Sequence, residues 1–347
     1  MNIDTPINTY SIDTMMLKRG ASKMKGKLSH FLQWRMNIFL YLVLGWSLTK
    51  TYVFFLGNVY FLLKRKEKHL IRNALCEVVA RRGGTVDMED VIKKVFRGIF
   101  SHYYEKLYMA FEHKKRATEF LNRYIQCGDL VVLKRCLLKG KGVILITGHY
   151  GAIEYFPTLL AVKDFNITMI AKFNTRQLKR QVFSQAKKYK IRLIDGENTG
   201  HILKSAIEDL SENRVLVTQC DEIDEWRPSK KWKTSFLGQV TGLDRTINII
   251  QQRTKAEVVF GIIHRYNLFE YKLMMYSYEQ MSKMLGEGTP LTPGETVLKV
   301  LEQFILFHPE QWYQWKKYPE LGAFSISVNN NKKSETMPLL QPVFGEQ

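Results

Sequence analysis

The stretch Lys141–Leu160, KGVILITGHYGAIEYFPTLL, constrains this chain more than any other. Four consecutive apolar residues, Val143, Ile144, Leu145 and Ile146, are closed by Thr147 and Gly148. A short unbroken apolar run bounded by glycine predicts a strand buried on both faces. From Gly151 the pattern changes, and Ile153, Phe156, Leu159 and Leu160 fall on one helical face. His149 therefore stands in the turn between a buried strand and a helix, with Glu154 five residues later.

On an ideal helix five residues rotate by about 500°, which leaves two side chains about 140° apart. His149 and Glu154 meet only if His149 precedes the helix and folds back over its first turn. Gly148 and Gly151 give the backbone that freedom. A carboxylate bonded to one imidazole nitrogen fixes the tautomer and raises the basicity of the other. The pair would then act as a general base near neutral pH. The competing reading is a histidine at a helix entrance beside a solvated glutamate.

The segment GVILITGHYGAIE resembles the first block of the lipid A biosynthesis acyltransferases, within the wider glycerolipid acyltransferase superfamily. Their hallmark is a histidine and an acidic residue separated by four positions after a buried strand. The resemblance continues downstream. Residues 213–222, NRVLVTQCDE, are similar to a strand ending in an aspartate, here Asp221. Phe236, Leu237 and Gly238 are similar to an aromatic-glycine turn, and residues 254–259, TKAEVV, to the entry of the next strand. Residues 308–315, HPEQWYQW, resemble the C-terminal signature of the family. Two departures stand out. Cys220 and Glu222 flank Asp221 where the family has proline and glutamine, and the family's arginine-proline pair is absent from AKFNTRQLKR.

The 347 residues suffice for one large α/β domain with additions or two small domains. The formal charge of +19 calls for an anionic partner: nucleic acid, an anionic membrane or an acidic protein. Cys76, Cys127, Cys136 and Cys220 form no CxxC pair, which argues against a zinc site and a disulfide framework.

Residues 1–33 read as a disordered basic tail. Residues 34–65 hold the most apolar run, interrupted by Ser47, Thr49, Lys50 and Thr51. Such polar residues are costly at bilayer depth, so this segment reads as a membrane-seated helix or bent helix pair. A buried helical hairpin is the alternative. Residues 66–320 form the acyltransferase domain under the resemblance, helical over 66–140 and α/β over 141–320, and 321–347 read as a disordered tail. Apolar runs at 143–147, 167–171, 215–219 and 258–263 alternate with helical stripes. That alternation predicts a mainly parallel central sheet flanked by helices on both faces. The acidic cluster Asp221, Glu222, Asp224 and Glu225 follows one of these strands, where ligands of open α/β sheets bind. A weak magnesium or calcium site and a solvated turn are its other readings.

The resemblance implies transfer of a fatty acyl group from acyl carrier protein, or from acyl-CoA, to a hydroxyl of a lipid A precursor. The place would be the cytoplasmic face of a bacterial inner membrane. His149 would take the hydroxyl proton and Glu154 would hold His149. Lys172 or Arg176 would steady acceptor phosphates, and Asp221 would shape the pocket. Backbone N–H groups around Gly148 and Gly151 would face the oxyanion. No metal or redox cofactor and no nucleic acid partner is implied. Rival readings are another lipid acceptor (a lysophospholipid, ornithine lipid or glycolipid) and a non-catalytic basic protein binding membrane or nucleic acid.

Overall fold

A computed structural model describes residues 35–81, 86–171, 176–196, 199–223, 233–243, 245–267, 269–286 and 291–323. Residues 1–34, 224–232 and 324–347 lie outside the described residues, while 321–323, read as the start of a tail, are helical. The chain divides into two compact units, Met1–Leu62 and Leu63–Gln347.

The described part of the first unit lies within helix α1 (Arg35–Leu63), which is broken at Gly45, where φ is 71° and ψ 166°. Left-handed φ is cheap only for glycine, so this residue sets the bend. The Thr49 hydroxyl caps the break by donating to the carbonyl oxygen of Gly45 at 2.8 Å. Phe39, Val43, Leu48, Phe55 and Leu62 are exposed. No helix among the described residues is long and apolar enough to cross a membrane.

The second unit opens with four helices, α2 (Arg65–Ala80), α3 (Met88–Phe111), α4 (Lys114–Tyr124) and α5 (Leu130–Leu137), with strand β1 (Ile125–Gln126) before the last. Asp87 caps α3 by accepting from the N–H groups of Glu89 and Asp90. Then come β2 (Val143–Thr147), a 3-10 turn (Ile153–Tyr155), α6 (Phe156–Val162), β3 (Ile167–Ala171), α7 (Arg176–Lys188), β4 (Arg192–Asp195), α8 (Thr199–Ser211) and β5 (Val215–Gln219). A hairpin, β6 (Lys233–Phe236) and β7 (Gln239–Gly242), leads to α9 (Thr246–Thr254), β8 (Glu257–Asn267), β9 (Glu270–Ser277), α10 (Tyr278–Leu285), α11 (Pro293–Phe307) and α12 (Tyr318–Ala323).

The central sheet has seven strands in the order β1-β9-β8-β2-β5-β3-β4. All pairs are parallel except β8 with β9. The four predicted strands are present, and the antiparallel β9 and the β6–β7 hairpin are additions that the apolar runs did not announce. Strand β2 sits in the middle, and Val143, Ile144, Leu145 and Ile146 are fully buried. Burying each such side chain contributes about 1.5–3 kcal/mol. Because β2 and β5 are parallel with Thr147 opposite Gln219, the chain leaves both strands at the same edge. The residues two positions beyond these partners, His149 and Asp221, are thereby brought side by side.

The helix expected from Gly151 starts later. Gly151 has φ 58°, and a Cβ there would sit 2.0 Å from the Ile263 carbonyl oxygen. The residue must be glycine for the turn to lie against β8. Helical geometry begins at Ile153 as a 3-10 turn and becomes α-helical at Phe156.

Candidate active site

The side chain of His149 is 13% exposed at the C-terminal edge of the sheet. Its Nδ1 lies 2.9 Å from Asp221 Oδ1, and its main-chain N–H reaches both Asp221 oxygens at 3.0 Å. Asp221 is fully buried and also accepts from Trp312 Nε1 at 2.8 Å. Burial alone would push this carboxyl up. The charge of His149 and the donated hydrogen bonds outweigh it and hold Asp221 below the usual carboxylate range. An ionised Asp221 accepts from Nδ1–H, which leaves the Nε2 lone pair available. Glu222 Oε2 is 3.6 Å from Nε2, and Lys317 Nζ is 3.5 Å from the other Glu222 oxygen.

The expected contact between His149 and Glu154 is not made. The carboxylate of Glu154 lies 3.7 Å from His102 Nε2 and 3.5 Å from Lys106 Nζ, both on α3. The late helix start explains this: the 3-10 turn points Glu154 at α3, while the strand register hands His149 to Asp221.

At Gly151 the oxyanion assignment also changes. The N–H of His149 is given to Asp221, that of Tyr150 to Gly148 O, that of Gly151 to Gln311 O at 2.8 Å and that of Ala152 to Ile263 O. Gly151 therefore has no N–H left for a substrate. Lys172 lies outside the described residues. Arg176 opens α7, and its side chain also lies outside them.

The C-terminal signature brackets the histidine turn. Besides the Gln311 and Trp312 contacts, the Tyr313 N–H donates to the carbonyl oxygen of His149 at 3.2 Å. Gln311 Nε2 donates to Arg265 O at 2.8 Å. The buried Arg265 guanidinium bonds Glu105 through two nitrogens, at 2.6 and 2.7 Å, and Gly151 O at 2.8 Å. Burial pushes the Glu105 carboxyl up, and the Arg265 charge opposes that shift. Sequence reasoning had Gln311, Trp312 and Tyr313 only as a signature, and Arg265 and Glu105 not at all. Their spacing gives no local reason to place Trp312 on Asp221.

Residues 20–317 match the sequence profile of the bacterial lipid A biosynthesis acyltransferases. That is most of the chain, and the match includes every strand and both parts of the site. The chain belongs to this family. It is accordingly an acyltransferase of the lipid A type. Among individually curated proteins none matches it. For an acyltransferase, the geometry supplies a histidine whose one nitrogen is committed to a buried carboxylate and whose other nitrogen is available at the strand edge.

Proposed function

We propose that this acyltransferase moves a fatty acyl group from acyl carrier protein, or from acyl-CoA, to a hydroxyl of a lipid A precursor, with His149 as general base. The observation behind this reading is the bond between His149 Nδ1 and Asp221 Oδ1. Asp221 fixes the tautomer and the ring orientation. His149 Nε2 takes the proton of the acceptor hydroxyl as its oxygen attacks the thioester carbonyl carbon. The carbon–sulfur bond then breaks, and the leaving thiolate takes the proton back from Nε2. Glu222 and Glu154 favour the transient imidazolium through their charge. Glu154 thus acts on His149 without the direct hydrogen bond that its spacing suggested. Lys172 and Arg176 follow β3 and steady the acceptor phosphates.

The same reading puts the protein on the cytoplasmic face of the inner membrane. Its +19 charge suits both an acidic carrier protein and anionic lipid. The exposed apolar residues of the bent α1 suit an interfacial seat rather than a crossing helix.

The test is mass spectrometry of lipids from a bacterial strain with the protein, without it, and with His149→Ala in its place. The expected result is a lipid A species one acyl chain heavier only with the wild-type protein. Identical lipid A in all three strains, with the extra chain found on a phospholipid or ornithine lipid, would overturn the acceptor assignment.

A further inference from the structure

Helix α3 places a second histidine beside the site. His102 is buried, and its ring stacks on Tyr313 with centroids 3.5 Å apart and planes 13° apart. Tyr313 in turn presents an edge-on contact to His149, at 5.2 Å and 78°. One tyrosine therefore lies between two imidazoles. On the rim of His102, Nε2 is 3.7 Å from Glu154 Oε1. Lys106, one turn along α3, approaches the same oxygen at 3.5 Å. The other nitrogen of His102, Nδ1, is buried without a hydrogen-bond partner.

Core packing does not account for a histidine here. A buried polar atom without a partner costs about 1–3 kcal/mol, and a phenylalanine would stack on Tyr313 without that cost. What the imidazole has and phenylalanine lacks is a nitrogen facing Glu154. Burial, followed by the charges of Lys106, His149 and Arg265, holds the His102 pKa well below the ordinary histidine value, so the ring is neutral. A neutral imidazole with its proton on Nε2 turns an N–H toward Glu154 and leaves the Nδ1 lone pair unpaired. This arrangement fits the orphaned atom. The neutral ring then orients the Glu154 carboxylate without adding a second buried cation near His149.

We propose that His102 is a positioning residue of the acyl-transfer site: it seats Tyr313 against His149 and, with Lys106, holds the Glu154 carboxylate in place. The inference rests on His149 being the general base. His102 itself does not touch the reacting atoms and acts through Glu154 and Tyr313.

The experiment is steady-state kinetics on the full chain, with the lauroyl thioester of acyl carrier protein as donor and a purified lipid A precursor as acceptor. The variants are His102→Phe, His102→Gln, Glu154→Gln and the pair His102→Phe with Glu154→Gln, with His149→Ala as control. His102→Phe keeps the stack and loses the nitrogen. It is expected to lower kcat about 10- to 100-fold with little change in KM and no loss of melting temperature. His102→Gln, whose amide nitrogen replaces Nε2, is expected to recover part of that loss. In the Glu154→Gln background, His102→Phe should cost less than about twofold more, because two residues acting through one contact are not additive. Wild-type kcat in both His102→Phe and His102→Gln would overturn the proposal. So would an equal loss from His102→Phe with and without Glu154. If His149→Ala kept full activity, the general-base reading itself would fall; an inactive His149→Ala beside fully active His102 variants would sink only the role of His102.

Discussion

Asp221 grips His149 twice, through the ring Nδ1 at 2.9 Å and through the main-chain N–H at 3.0 Å. The two residues are 72 positions apart. They meet because β2 and β5 are parallel neighbours that end level with each other. The ring and the backbone of the histidine are thus fixed by one buried carboxylate, and a third donor, Trp312, fixes the carboxylate.

That third donor gives a prediction about acid stability. Asp221 is ionised more readily in the folded chain than in the unfolded one. Its stabilising contribution is present above the unfolded value of about 3.9 and is lost as pH falls through the lower folded value. Trp312→Phe removes one donor to the carboxylate while keeping most of the ring. It should cost about 1.5–3 kcal/mol in urea unfolding at pH 7. Its acid unfolding should begin at a higher pH than in the wild type. An unchanged acid midpoint would mean that the indole does little for Asp221.

His264 predicts a second pH effect at milder acidity. Burial pushes its folded pKa down to about 3, and Tyr150 OH lies 2.9 Å from its Nδ1. The unfolded chain takes up a proton on this residue below about pH 6.5, and the folded chain does not until far lower pH. Stability is therefore full above the unfolded value and declines as pH falls from there toward the folded value. Linkage puts the loss from this group at about 2 kcal/mol by pH 5. His264→Gln should show a shallower decline between pH 7 and pH 5 by chemical denaturation. Equal slopes for the two proteins would contradict the assignment.

The exposed apolar residues of the first helix predict membrane seating. Phe39, Phe55 and Leu62 are all exposed. Replacing the three with serine should release the full chain from sedimenting vesicles that contain anionic phosphatidylglycerol. High salt alone should release the wild type only in part, since apolar burial is not screened. Complete release of the wild type by salt would leave charge as the sole attachment.

Much of this fold was legible, and the reasons are local. Val143–Ile146 and Val215–Val217 are short apolar runs between turn residues, and such runs have few alternatives to a buried strand. The late helix start was not legible, because it follows from the close approach of Gly151 to Ile263, a contact across the fold. Strand β9, EYKLMMYS, carries the apolar run Leu273–Met275, but the polar residues Glu270 and Lys272 precede it, and the strand is held by its pairing with β8. At the site, His149 was legible from the strand–turn pattern, while its partner was not. The spacing of four residues between His149 and Glu154 is a local signal. The pairing with Asp221 depends on sheet order, which no spacing in the sequence encodes. Trp312 and Gln311 were visible as a signature, yet their roles emerge only from the bracket they form around the histidine turn.

The central claim is that His149 is the base and Asp221 its orienting carboxylate. The direct measurement is the single-turnover rate of acyl transfer from lauroyl–acyl carrier protein to a lipid A precursor by wild type, His149→Ala, Asp221→Asn and Glu154→Gln. Losing a general base typically costs about 10²–10⁴-fold. The account predicts a loss of that size for His149→Ala, a loss approaching it for Asp221→Asn, and a smaller one for Glu154→Gln. Wild-type transfer by His149→Ala, or full activity in Asp221→Asn beside an inactive Glu154→Gln, would contradict it.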